Sequence, residues 1–145
     1  MTVDDIDYMI DMGSRMHNES TYSEHEFSED KCRSWGHQII ASAQMCGFVS
    51  EQKGVIVGMF LGCYWAHHFL DATTSSDLLI YVDEKHRGGL TGYRLVKKYI
   101  DWCKSCGVDD IRLGESAGIN RESIDRLYTK LGFSSCGTLY KMNKE

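Results

Sequence analysis

Between Asp77 and Gly92 the chain reads Asp-Leu-Leu-Ile-Tyr-Val-Asp-Glu-Lys-His-Arg-Gly-Gly-Leu-Thr-Gly, a run whose residue types suit the holding of an anion such as a pyrophosphate. Leu78 to Val82 is an apolar, β-prone strand, and Asp83 to His86 is a charged turn. Arg87, Gly88 and Gly89 then open an amphipathic helix. A glycine-rich turn lets backbone amides approach an anion, and the first turn of a helix adds unpaired N–H donors and a partial positive charge. Arg87 offers a fixed countercharge beside them.

A second group of polar residues follows. Asn120 reads as the N-cap of a helix whose apolar face is Ile124, Leu127, Tyr128 and Leu131, stopped by Gly132. A tyrosine on such a stripe is either core or a proton donor, its reference pKa being about 10. His67 and His68 close a strand and face opposite ways, which suits a strand end better than a metal site. No metal is expected. Trp102-Cys103-Lys104-Ser105-Cys106 resembles a thioredoxin-type redox motif, but that chemistry wants the first thiol at a helix N-terminus. Here the pair sits at the end of a helix, just before Gly107.

The elements that must position these residues follow from periodicity. Ile6, Met9, Ile10, Gly13 and Met16 recur at helical spacing. Ser28, followed by Glu29 and Asp30, starts a second helix with Cys32, Trp35, Ile39, Ile40 and Ala43 on one face, ending near Gly47. Phe48 to Gln52 and Val55 to Trp65 are strands joined at Lys53-Gly54, the second apolar enough for burial on both faces, a run that periodicity alone does not distinguish from a buried helix. Ala66 to Ser76 is a polar connection, its end open to being already extended, before the strand at Leu78. From Gly89 the helix carries Tyr93, Leu95, Val96, Tyr99, Ile100 and Cys103 inward. Asp110 to Leu113 is a short strand, and Phe133 to Met142 is expected to form a terminal hairpin around Gly137. A helix between adjacent strands implies a parallel pair there, with antiparallel hairpins before it.

Composition narrows the function classes. The 145 residues are 42 % apolar and 26 % charged with net charge −5, which fits one domain over 1–145 with a real core. An acidic chain argues against non-specific nucleic-acid binding. No apolar run reaches membrane-spanning length, and the acidic start Met-Thr-Val-Asp-Asp is neither a signal peptide nor an anchor. The 6 cysteines, spread through apolar patterns, suit small core residues in a reducing compartment, so a cytoplasmic location is expected.

Arg87-Gly-Gly-Leu90-Thr-Gly92 resembles motif A of the GNAT superfamily of N-acetyltransferases, Arg/Gln-x-x-Gly-x-Gly/Ala after a strand, with Leu90 in place of the middle glycine. Asn120 to Phe133 resembles the second GNAT signature, Asn-x-x-Ala-x-x-x-Tyr-x-x-x-Gly-Phe, with Asn120 and Tyr128 here 8 apart. The resemblance spans residues 48–142 and loosely the two leading helices, and it is nearest to the compact phage and bacterial members. It implies an α/β (α+β) fold with a mixed, mostly antiparallel sheet and helices on both faces, the usual first strand being missing or reduced to a few residues.

The resemblance also implies roles. Arg87, Gly88, Gly89, Leu90, Thr91 and Gly92 would grip the pyrophosphate of acetyl-CoA; Ile80, Tyr81 and Val82 would pair with its pantetheine arm, beside a bulge near Val82; Asn120 would bond the same arm. Tyr128 would be the general acid for direct attack by a primary amine, whether of a small molecule or a peptide. An amine with pKa about 10 needs a base. The family's usual position for it, six residues before Val82, is Ser76, and Asp77 would face away on a regular strand. His67, His68 and Glu115 are the alternatives. Tyr22, Trp35, Tyr64 and Ser76 are candidates for the acceptor pocket. A homodimer is compatible with the fold. Two rivals stand beside this reading: a module that holds acyl-CoA without turnover, and a modifier of a partner protein's lysine or N-terminus.

Overall fold

The computed structural model describes residues 1–142. After a 3-10 turn at Val3–Asp5, α1 runs Ile6–Glu19 and α2 runs Glu29–Ala41. No strand precedes them among the described residues, and the N-terminal ammonium instead donates to the Gly47 carbonyl at 3.0 Å. Ser28 caps α2, its side chain accepting the Lys31 N–H. The helix ends at Ala41, earlier than the expected stop near Gly47. Gly47 lies inside β1 (Met45–Gln52), where a side chain would meet Met1 at 2.9 Å.

β2 (Val55–Ala66) follows through a turn in which Lys53 and Gly54 both take positive φ, as a tight hairpin requires. It is buried on both faces from Ile56 to Gly62. β3 begins at Thr73, well before the expected Leu78, and ends at Val82. α3 runs Thr91–Ser105, β4 is reduced to Asp110–Ile111, and α4 runs Arg121–Lys130. Residues 133–142 form no strand, so the expected terminal hairpin is absent.

The sheet has order β1-β2-β3-β4, antiparallel except for the β3–β4 pair, which is parallel. α1 and α2 cover one face, packing Met9, Met12 and Ile39 on Met59, Leu61 and Tyr81. α3 covers the other, packing Leu95, Val96, Tyr99 and Cys103 on Phe60, with Leu127 and Tyr128 of α4 against the same cluster. α3 sits low on the sheet because β2 places glycines beneath it. A Cβ on Gly62 would come within 2.8 Å of the Tyr99 ring, and one on Gly58 within 2.9 Å of Thr91.

One irregularity sets the position of everything downstream. The β2–β3 register slips between Leu61 and Gly62, which pair with Leu79 and Asp77 and leave Leu78 as an extra residue. The bulge therefore lies at Leu78, not near Val82. Its consequence is visible in the packing: Ser75 and Ile80 are five positions apart yet both face α3. On a regular strand they would face opposite ways.

Candidate active site

β3 and β4 pair only at Thr74 with Asp110 and Ser75 with Ile111, and beyond that the two chains separate. Side chains take over the hydrogen bonds that the ladder drops. Tyr99 donates its hydroxyl to the Arg112 carbonyl at 3.1 Å and lies 2.8 Å from Ser75 Oγ. Gly114 donates its N–H to the Asp77 carboxylate at 2.6 Å, and its carbonyl accepts the Tyr128 hydroxyl at 3.2 Å. Backbone groups that would otherwise be stranded are thus satisfied while the strands stay apart. A cleft of about 250 Å³ results, walled by Asp77 to Val82 on one side and Gly114 to Asn120 on the other.

The open edge of β3 has free backbone. Asp83 donates its N–H to the Val57 carbonyl at 2.9 Å, so Asp83, Tyr81 and Leu79 turn their backbone groups toward β2. By the alternation of an antiparallel ladder, Ile80 and Val82 turn theirs toward the cleft. The Val82 carbonyl is already taken by Arg87 Nε at 2.9 Å, which leaves Ile80 as the exposed pairing position.

At one end of the cleft lies the turn into α3. The 3-10 turn Glu84–His86 is capped by Asp83, which accepts the Lys85 N–H at 3.1 Å. Gly88 then takes φ +83°, a conformation other residues rarely adopt. Among the described residues no partner occupies the amides from Gly88 to Tyr93, and a Cβ on Gly88 or Gly89 would meet nothing within 4 Å. Open space in front of unpaired N–H groups at a helix start is what an anion needs. Leu90 does not fill it, since its side chain is exposed to solvent. Thr91 is buried and accepts the Gln52 amide at 3.2 Å, so it holds the helix start to the sheet.

At the other end are two carboxylates, Asp77 and Glu115. Burial pushes the Asp77 carboxyl above the ordinary aspartate range, against the Gly114 N–H that favours its charged form. Glu115 accepts the Gly118 N–H at 2.7 Å. The chain after α1 straps across this end. Thr21 donates its N–H to the Ala117 carbonyl at 3.0 Å, and the Tyr22 hydroxyl lies 2.6 Å from Ser116 Oγ.

A family model, the acetyltransferase (GNAT) family, matches residues 10–133. The chain belongs to the GNAT acetyltransferases. No curated protein matches its sequence. Among solved structures it is similar to aminoglycoside antibiotic 6'-N-acetyltransferase AAC(6')-Ig from Acinetobacter haemolyticus, at 13 % identity and TM-score 0.76, covering 100 % of this chain and 95 % of that one. It is similar to a transcriptional regulator from Bacillus halodurans C-125, at 19 % identity and TM-score 0.81, covering 99 % and 96 %. AAC(6')-Iy, solved in complex with the bisubstrate analogue CoA-S-monomethyl-acetylneamine, matches at 15 % identity and TM-score 0.79, covering 100 % and 95 %. These three likenesses establish the shared fold.

GNAT acetyltransferases use acetyl-CoA, and the cleft of this one suits it: free amides from Gly88 to Tyr93 for the pyrophosphate, and the unpaired edge of Ile80 for the amide-bearing arm. Asn120 also lines the cleft. It occupies the N-cap position of α4 in left-handed backbone, φ 52°, and its side chain makes no capping bond among the described residues. Tyr81 differs from its neighbours in turning its backbone away from the cleft and its hydroxyl to Glu19.

Several sequence expectations meet a different geometry. His67 lies beyond the far end of β2, where Ala66 pairs with Thr73, while the cleft is at the opposite end, where Gly58 pairs with Val82. There it stacks edge-on with Phe69 at 4.6 Å, with His68 beside it. Tyr64 packs on Trp102 at 5.5 Å, under α3. Trp35 packs into the α1–α2 core. Neither lines the cleft, and of the expected acceptor residues only Tyr22 does. Ser76 Oγ is turned to Asp77 at 3.4 Å. The bulge at Leu78 shifts the strand by one, so Asp77 takes the cleft position that a regular strand would give Ser76. Tyr128 stands behind Gly114 and not on the cleft wall; burial, with Asp77 and Glu115 nearby, raises its pKa. Cys103 is fully buried with its thiol pushed up, which is unlike a redox-active cysteine, and all 6 cysteines are free. No described helix is long and apolar enough to cross a membrane, and no described cluster of His, Cys, Asp and Glu could hold a metal ion.

Proposed function

We infer that this GNAT protein N-acetylates a primary amine on a small molecule, with Asp77 receiving the amine proton. The observation that supports it most is the pairing, in one cleft, of an amide-lined anion end with a carboxylate end whose Asp77 is shifted toward neutral pH. A base is most effective when its pKa lies near the working pH, and an aspartate raised by burial moves in that direction. Acetyl-CoA supplies the activated acetyl group. Asp77 and Glu115 attract and orient the protonated amine, and Asp77 accepts its proton before direct attack, with no acyl-enzyme. Tyr128 keeps its proton at neutral pH and is the group assigned to return one to the leaving thiolate; standing behind Gly114, it does so by leaving the Gly114 carbonyl and turning into the cleft. The strap from Thr21 to Tyr22 narrows the acceptor end and favours a small molecule over a folded protein. Free cysteines throughout fit a reducing compartment, the cytoplasm.

The test is release of free coenzyme A thiol from acetyl-CoA across a panel of primary amines and lysine peptides. Thiol release with small amines, lost in Asp77→Asn, is the expected result. Release with peptides alone would move the acceptor to a protein partner, and binding of acetyl-CoA without release would favour the silent module.

A further inference from the structure

Arg87 is expected to face a pyrophosphate, yet its guanidinium is committed elsewhere. Nη2 donates to Glu19 at 2.8 Å, Nε donates to the Val82 carbonyl at 2.9 Å, and the group lies 5.3 Å over the Tyr81 ring. Glu19, the last residue of α1, uses both oxygens: one accepts the Tyr81 hydroxyl, the other Arg87. Burial works to raise Glu19, but the two hydrogen bonds outweigh it and hold the carboxyl below its ordinary value. Burial and Glu19 push the Tyr81 hydroxyl up to about 12, so it stays a donor.

The same helix grips the turn a second time. Arg15, four residues before Glu19 and on the same face, is bonded to Asp83 as well as to Asp11. Asp83 and Arg87 are the two ends of the 3-10 turn that leads to the free amides. α1 therefore holds both ends of the turn with pairs of opposite sense, Arg15 to Asp83 and Glu19 to Arg87. The Glu19 pair is about three-quarters shielded from water on its arginine side, where a charge-assisted bond retains its strength better than at an open surface.

We propose that Glu19 is a positioning residue for the cofactor: through Arg87 and Tyr81 it fixes the turn so that the amides from Gly88 to Tyr93 present themselves to the pyrophosphate. On this account Arg87 is a strut, and the anion is held by backbone. The proposal rests on acetyl-CoA binding in this cleft. The alternative is that Arg87 leaves Glu19 to bind the anion directly, and the two accounts give opposite signs. If Glu19 competes with the cofactor for Arg87, Glu19→Ala frees the arginine and tightens binding. If Glu19 braces the turn, the same change weakens it.

The experiment is calorimetric titration of acetyl-CoA into wild type, Glu19→Ala, Arg87→Ala and the double variant, with Glu19→Gln as the near-isosteric form and thermal melts alongside. We expect a roughly tenfold rise in Kd for Glu19→Ala and for Arg87→Ala, a smaller rise for Glu19→Gln, and little further rise in the double variant, because both changes break one strut. A merely structural role would lower the melting temperature and leave the Kd of the folded protein unchanged. Tighter or unchanged binding in Glu19→Ala, or full additivity in the double variant, overturns the proposal. Absence of binding in wild type would instead remove the cofactor reading on which it rests.

Discussion

The two halves of β3 are built on different rules. From Thr73 to Ser75 the strand has ladder partners on both sides, β2 and β4, and its side chains are enclosed: Ser75 is wholly buried under Tyr99 and Cys103. From Asp77 to Val82 it keeps only β2, and the missing neighbour is replaced by single side chains, Asp77 and Tyr128 on Gly114 and Arg87 on Val82. A closed ladder spends every backbone group on the fold, whereas the open half leaves Ile80 and the amides beyond Arg87 free for a ligand. The chain makes this transition within three residues, at the bulge. Substitutions in the closed half should therefore act on stability, and those in the open half on binding and turnover.

The sharpest way to test that division is Asp77→Asn. The amide oxygen can still accept the Gly114 N–H, so the cleft keeps its shape, but the group loses its basicity. Turnover should fall about 100-fold with acetyl-CoA affinity nearly unchanged, measured by thiol release and calorimetry. A fully active variant would show that the proton goes elsewhere. Next in size is the seat of α3 on β2, where Gly62 pairs with Asp77. Gly62→Val drives a side chain into the Tyr99 and Phe60 rings and should cost about 1–3 kcal/mol in denaturant unfolding. If stability were unchanged, α3 would not be as close to the sheet as described. Tyr128→Phe comes third, lowering turnover roughly tenfold with only a small loss of stability; an undiminished rate would leave Tyr128 as a strand-spacing residue alone.

The smallest effect is on pH dependence. Asp77 has a folded-state pKa above its ordinary value of 3.8, so between the two the folded protein binds more protons than the unfolded one. Stability contributed by this group is present below 3.8 and lost as pH rises through the raised value, while activity should rise over the same window. Asp77→Asn should flatten both slopes in denaturation and rate profiles. Slopes that persist in the variant would assign them to another carboxylate.

Much of this was legible in the sequence, for reasons that also explain what was not. The helical stripes of α1, α3 and α4 and the glycine stops at Gly107 and Gly132 depend on near neighbours, and both glycines take positive φ as expected. Motif A and the Asn120–Tyr128 pattern were visible as strings of adjacent residues. The place of the bulge, at Leu78 and not near Val82, was not, because Leu78, Leu79 and Ile80 are apolar on both faces and such a run does not specify its own register. A strand regular up to Val82 turns Asp77 away and gives its place to Ser76; the slip at Leu78 reverses this. Glu19 gave no signal at all, since it meets Arg87 across 68 positions of chain. His67 was misleading for the opposite reason: it is near the cleft residues in sequence, but the β2–β3 hairpin puts it at the other end of the sheet.

Amide hydrogen exchange, followed with and without saturating acetyl-CoA, reads the open and closed halves of β3 separately. Its readout is residue by residue along the strand whose halves are said to differ. Binding should slow exchange at Ile80 and from Gly88 to Tyr93, and leave Thr74 and Ser75, already held in the ladder, as they were. Protection that spares the open half, or that falls around His67 and Tyr64 instead, would place the ligand elsewhere and contradict the account.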